Sequence, residues 1–194
     1  GTEVICEASF SYNDGTGSNY CAVDILRKTS DGWAIYEVKS TTSHMADVAT
    51  MSKELVDKVE KYAKDIAFQK WVLVQCGVKV TGTYLVTLNS DYVRQGDLDV
   101  QQLFNIIDMK ELVENEYLKV PTQQRLAHTV LQGAEPQKAI GMHCSDPYQC
   151  AFWNYCTRQV GLDLENDKTT VFDLYRMSAK KKFELFDQGK VTFE

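Results

Sequence analysis

Two turn-forming stretches in the first 43 residues limit the folds open to this chain more than any other feature. Residues 13–19, "NDGTGSN", and 29–32, "TSDG", are dense in turn formers, and each lies between segments rich in β-branched and aromatic residues. "EVICEASFSY", "YCAVDILRK" and "WAIYEVKS" therefore read as three strands of an antiparallel meander. From Asp47 to Cys76, Leu55, Val59, Tyr62, Ile66, Leu73 and Cys76 recur at helical intervals, with Gly77 as the stop. "KVTGTYLVTLN" alternates like a fourth strand. Residues 98–132 read as helical, with Pro121 opening a second helix, and 133–144 read as loop. "TTVFDLY" is expected to be a short strand or turn, and "SAKKKFELFDQG" a last helix stopped by Gly189. This order predicts an α/β (α+β) fold with a mixed central sheet flanked by helices. One domain is expected, with a core over 1–143 and a segment over 144–194 folded back onto it.

No apolar run approaches the roughly 18 residues that span a bilayer, and the N-terminal stretch lacks a signal-peptide pattern, so no membrane partner is expected. Six cysteines in 194 residues are too sparse for a disulfide framework. Cys6, Cys21 and Cys76 stand singly in apolar settings typical of buried thiols, so a reducing cytoplasm is the expected location. The strand pattern starts within a few residues of Gly1 and "GKVTFE" ends as abruptly. A piece excised from a longer protein is expected, with Gly1 as a tag remnant. The net charge of −6 repels a polyanion at long range, so nucleic-acid binding would need a local basic patch.

Alternation puts Ile35, Glu37 and Lys39 on one face of the third strand. With a turn at 29–32, Lys28 pairs with Trp33, and counting outward sets Asp24 opposite Glu37, the two Cβ atoms about 5 Å apart. Opposed carboxylates repel, and a divalent cation turns that repulsion into coordination, Mg²⁺ commonly using one or two carboxylates with substrate oxygens and water. Lys39, one strand step on, would hold a charge beside that ion. Counting across the first hairpin brings Glu7 towards Asp24. The alternative is a solvent-facing ion pair that contributes little. The helical stripe also carries Gln69 where an apolar residue is expected, with Asp65 one turn earlier, and an inward-turned amide needs a polar partner.

The order "CAVDIL", then "EVKS", then "DIAFQKWVL" on a following helix resembles the PD-(D/E)XK nuclease superfamily, and within it the RecB-type/Cas4-like branch. Twelve residues separate Asp24 from Glu37. The resemblance covers roughly 3–76 and implies a restriction-endonuclease-like core. It implies that Asp24, Glu37 and the backbone carbonyl of Val38 bind Mg²⁺ or Mn²⁺, with Glu7 as an upstream acidic ligand. Lys39 would be the catalytic lysine and Gln69 the motif glutamine. The implied activity is a metal-dependent phosphodiesterase, an exodeoxyribonuclease acting on single-stranded DNA or a DNA end in repair or defence.

Cys144, Cys150 and Cys156 recur every six residues in "HCSDPYQCAFWNYC". That spacing is neither one helix face nor a tight zinc knuckle, so a loop would have to wrap to gather them. The same branch binds a [4Fe–4S] cluster through three C-terminal cysteines and one upstream of the core, and no cysteine here stands in that upstream place. The resemblance therefore implies a cluster only in a full-length parent. The alternatives are buried thiols packed among Tyr148, Phe152, Trp153 and Tyr155, or zinc bound with His143.

For substrate, Arg27 at the second hairpin and Lys70 beside Gln69 are the candidate contacts, with Lys53, Lys58, Lys61 and Lys64 on the same helix and Lys180, Lys181 and Lys182 near the end. Tyr12 or Tyr20 would supply base stacking. The competing readings are a catalytically silent nucleic-acid-binding module and an iron–sulfur or zinc interaction domain.

Overall fold

The computed structural model describes residues 3–146, 148–166 and 169–192. Two compact units divide the chain, Gly1–Ala134 and Glu135–Glu194.

The first unit contains β1 (Val4–Asn13), β2 (Ser18–Lys28), β3 (Trp33–Ser43), α1 (Met45–Thr50), α2 (Lys53–Gln75), β4 (Val80–Asn89), α3 (Val100–Leu103), β5 (Phe104–Asp108), α4 (Lys110–Tyr117) and α5 (Val120–Gln132). Its sheet runs β1-β2-β3-β4-β5. The first three strands form the expected antiparallel meander, β3 and β4 pair in parallel, and β4 and β5 are antiparallel. The fold is thus a mixed α+β sheet flanked by helices. The parallel pair requires a crossover, and α1 and α2 supply it.

α2 covers the core. Val59, Ala63, Ile66, Ala67 and Leu73 pack with Val23, Leu26, Ile35, Leu85 and Ile107 of the sheet. Each large side chain fully buried there contributes about 1.5–3 kcal/mol. Ser52 caps the helix by accepting the Leu55 N–H, an N-cap worth about 1 kcal/mol. The expected single helix from Asp47 divides here, because Met51 adopts a left-handed conformation, φ 47°, that an α-helix cannot continue through.

The helical stretch expected over 98–132, with a second helix opening at Pro121, is interrupted before that proline by β5. Asn105 and Ile107 are buried while Phe104, Ile106 and Asp108 are exposed, a period of two. Five residues are too few for apolar spacing to separate strand from helix. The second edge of β4 decides it, and the Asn105 amide fixes the strand by donating to the Ser43 carbonyl at 3.0 Å.

The second unit holds α6 (Trp153–Gln159) and α7 (Ala179–Asp187). Ile140, Cys144, Trp153, Leu164 and Phe183 form its own core, with Trp153, Phe172 and Phe183 in edge-to-face contact. The division therefore falls after Ala134 rather than after residue 143, since Ile140 already belongs to the later core. "TTVFDLY" forms a 3₁₀ turn at Val171–Asp173, with Thr170 bridging to Thr192. Among the described residues, no helix is long and apolar enough to cross a membrane.

Candidate active site

The site lies where β2 and β3 part. Their register is the expected one, Lys28 opposite Trp33, but pairing extends only to Ile25 opposite Tyr36. β2 stays with β1, whereas β3 follows β4 through an irregularity between Val38 and Thr42. Bulges bend the strand that carries them. On the other side of β2, Glu7 takes φ 53°, and the ladder skips Glu7 and Asp24 between Cys6–Ile25 and Ala8–Val23. In β2, Cys21, Val23 and Leu26 all enter the α2-facing core, so strict alternation slips between Val23 and Leu26. Asp24 sits in that slip. Its Oδ2 accepts the Val38 N–H at 2.7 Å, bridging the two strands at the fork.

Glu37, 5% exposed, follows on β3. Lys39 Nζ lies 2.7 Å from its Oε1, and Gln69 Nε2 donates to its Oε2 at 2.7 Å. Lys39 also reaches Asp65 at 3.7 Å and sits 5.6 Å above the Tyr62 ring. Burial works against its charge, but the hydrogen bond to Glu37 and the fields of Glu37, Asp65 and Asp24 outweigh it, holding Lys39 above the usual lysine range. The ammonium therefore stays charged at neutral pH and acts as a donor rather than a base. Tyr62, Asp65 and Gln69, three and four residues apart, share one face of α2, and this spacing is what delivers them to β3. Tyr62 is the member that apolar periodicity alone assigns to packing.

The donor set suits a hard divalent cation. Two carboxylates and a backbone carbonyl, at Asp24, Glu37 and Val38, are the oxygen ligands Mg²⁺ and Mn²⁺ prefer. Val38 N–H engages Asp24 Oδ2, and Lys39 and Gln69 engage both Glu37 oxygens, so among the described residues Asp24 Oδ1 is the carboxylate oxygen with no hydrogen-bond partner. Beside them Gln69 Oε1 is buried with no hydrogen-bond partner among the described residues, an orphan that a native interior rarely tolerates. Among the described residues, no group of three or more His, Cys, Asp or Glu gathers as a metal cluster, so Glu7, exposed on β1, does not complete one.

The expected substrate contacts lie elsewhere. Arg27 pairs with Ala34, on the face of β3 opposite Glu37. Lys70 is engaged by Glu114 at 2.5 Å and lies over the Tyr117 ring. Lys58 donates to the Thr42 carbonyl, and Lys182 to that of Phe172. Tyr12 packs edge-on against Trp71, leaving Tyr20 as the exposed ring.

The cysteines also differ from expectation. Cys6 and Cys76 are exposed, and only Cys21 of the three single thiols is buried. Cys144 is buried in the second core, Cys150 is exposed and Cys156 lies on helix α6 rather than on a wrapping loop. All are free thiols, and these three form no metal-binding group among the described residues, with or without His143.

A scan against protein-family models gives no match to this chain, and a search of curated proteins gives none.

Proposed function

We propose that this chain is a metal-dependent phosphodiesterase of restriction-endonuclease-like architecture that cuts DNA, as an exonuclease in repair or defence. The observation that carries the reading is the grip on Glu37: a buried carboxylate held by Lys39 along its own strand and by Gln69 from a helix 32 residues away in sequence. Burying such a group is costly unless its position serves a purpose. Asp24 and Glu37, with the Val38 carbonyl, would hold Mg²⁺ or Mn²⁺. When bound, the ion supplies charge for the phosphate oxygens and a more acidic water. Gln69 fixes the rotamer of Glu37. The Lys39 ammonium donates to the attacking water or to the phosphate as negative charge grows.

A second reading draws on the same contact. Both Glu37 oxygens already have protein partners, which suits a module that keeps the constellation as structure and binds nucleic acid without cutting it.

Labelled single- and double-stranded DNA incubated with Mn²⁺ or Mg²⁺ separates the two. Degradation that depends on the metal and falls by roughly 10²-fold or more in Glu37→Ala and Lys39→Ala supports catalysis. Degradation surviving both substitutions, or none by the native chain, removes it.

A further inference from the structure

Two clefts adjoin on the first unit. One, about 420 Å³, is lined by Tyr20, Cys21, Lys64, Asp65, Phe68, Gln69 and the start of α5, so it opens directly beside the Glu37 site. The other, about 450 Å³, continues along α2 among Asp57, Glu60, Lys61, Lys64, Glu116, Lys119 and Gln123. Lys64 and Gln123 line both, making one groove. Each volume falls in the range that takes a drug-sized molecule, which is also the size of a nucleotide. The groove is therefore of a size to take a short run of unpaired nucleotides.

The lining mixes Lys61, Lys64 and Lys119 with Asp57, Glu60, Asp65 and Glu116, and Glu116 takes up Lys119, so a phosphate would be held only at a lysine that no carboxylate engages. Lys64 is exposed and makes no ion pair or hydrogen bond among the described residues, unlike Lys58 and Lys70 on the same helix. A cation held by nothing else is available to a phosphate. The Gln123 carboxamide carries both donors and an acceptor for a base edge. Tyr20, 61% exposed at the end beside Gln69, offers a stacking surface. β2 does not pair with β3 from Ser18 to Asp24, and Tyr20 and Cys21 of that stretch line the groove.

We infer that the α2–α5 groove is a binding path for single-stranded nucleic acid running from the Glu37 site, with Lys64 gripping a phosphate and Gln123 and Tyr20 contacting bases. The inference deepens the proposed function and rests on it for direction, but it is testable without turnover.

Anisotropy of a labelled oligothymidylate in EDTA, across a salt series, reads binding alone. Lys64→Glu is expected to weaken binding about tenfold and to lower the salt slope by about one, and Tyr20→Ala to weaken it by about five- to tenfold. Lys53→Glu, the same charge change in the exposed first turn of α2, is expected to stay within about twofold. A duplex of equal length should bind more weakly than the single strand. Equal losses for Lys64→Glu and Lys53→Glu, duplex binding as tight as single-strand binding, or no binding by the native chain overturns the path. Metal-dependent cleavage that Glu37→Ala abolishes and Lys64→Glu leaves intact overturns the path while the catalytic reading stands. Binding lost in Lys64→Glu without cleavage by any form supports the path and removes catalysis.

Discussion

Gln69 Nε2 donates to Glu37 Oε2 at 2.7 Å, joining the middle of the sheet to the helix that crosses it. The bond leaves the other polar atom of Gln69, Oε1, buried and without a hydrogen-bond partner among the described residues, so one side chain both satisfies the site and remains incomplete within it.

Gln69→Leu removes the donor to a buried carboxylate and is expected to destabilise the first unit by about 1–3 kcal/mol. Urea unfolding followed by tryptophan fluorescence measures it, Trp71 lying in the same core. A variant as stable as the native chain would show that Glu37 gains nothing from this bond.

Lys39→Met leaves one Glu37 oxygen unpaired. With the lysine side chain 30% exposed, the cost is expected to be about 1–2 kcal/mol, below the figure for a fully buried pair. The folded-state pKa of Lys39 lies above the ordinary lysine value of about 10.4, so its contribution is fully present below that pH and is lost as pH rises through the folded value. The stability difference between native and variant chains should stay constant from pH 7 to pH 10 and shrink above about 10.5. A difference that does not shrink as the pH rises past about 10.5 would contradict this sign.

A Cβ at Gly17 would lie 2.7 Å from His128 Nε2. The ring has little room to retreat, being buried and bonded through Nδ1 to the Thr16 hydroxyl at 2.8 Å. Gly17→Ala is expected to cost about 1–3 kcal/mol by overpacking. In a His128→Ala background the same substitution should cost much less, and denaturation of the four chains measures the coupling. Additive effects would mean that the β1–β2 turn does not rest on α5.

Thiol labelling under native conditions should be biphasic. Cys6, Cys76 and Cys150 are exposed and should react within the fast phase. Cys21 should lag, since burial and its neighbour Cys76 push its thiol up to about 11, and Cys144 should lag through burial alone. Mass spectrometry of the labelled peptides assigns each. Fast modification of Cys144 would place it outside the core described above.

Much of the candidate site was legible in the sequence because it depends on local counting. The "TSDG" turn sets Lys28 against Trp33, and period-two alternation then places Glu37 and Lys39 on one face. Gln69 stood out because an amide broke an apolar stripe, and it is indeed buried. The lysines were not separable in this way. Nothing in their spacing distinguishes Lys70, taken up by Glu114, from Lys64, which lines a groove, because the partner that decides lies on a helix more than 40 residues later.

The sequence by itself determined the meander, its hairpin register and the inward turn of Gln69, all consequences of turn chemistry and side-chain periodicity over short distances. Only the tertiary structure decided that residues 104–108 are a strand, that the later core starts before Cys144, and that β2 and β3 diverge at Asp24. The physical reason is competition between remote partners. β3 pairs with β4 beyond the fork and β2 with β1, so the gap that aims Asp24 at the Val38 N–H arises from pairings no local pattern contains.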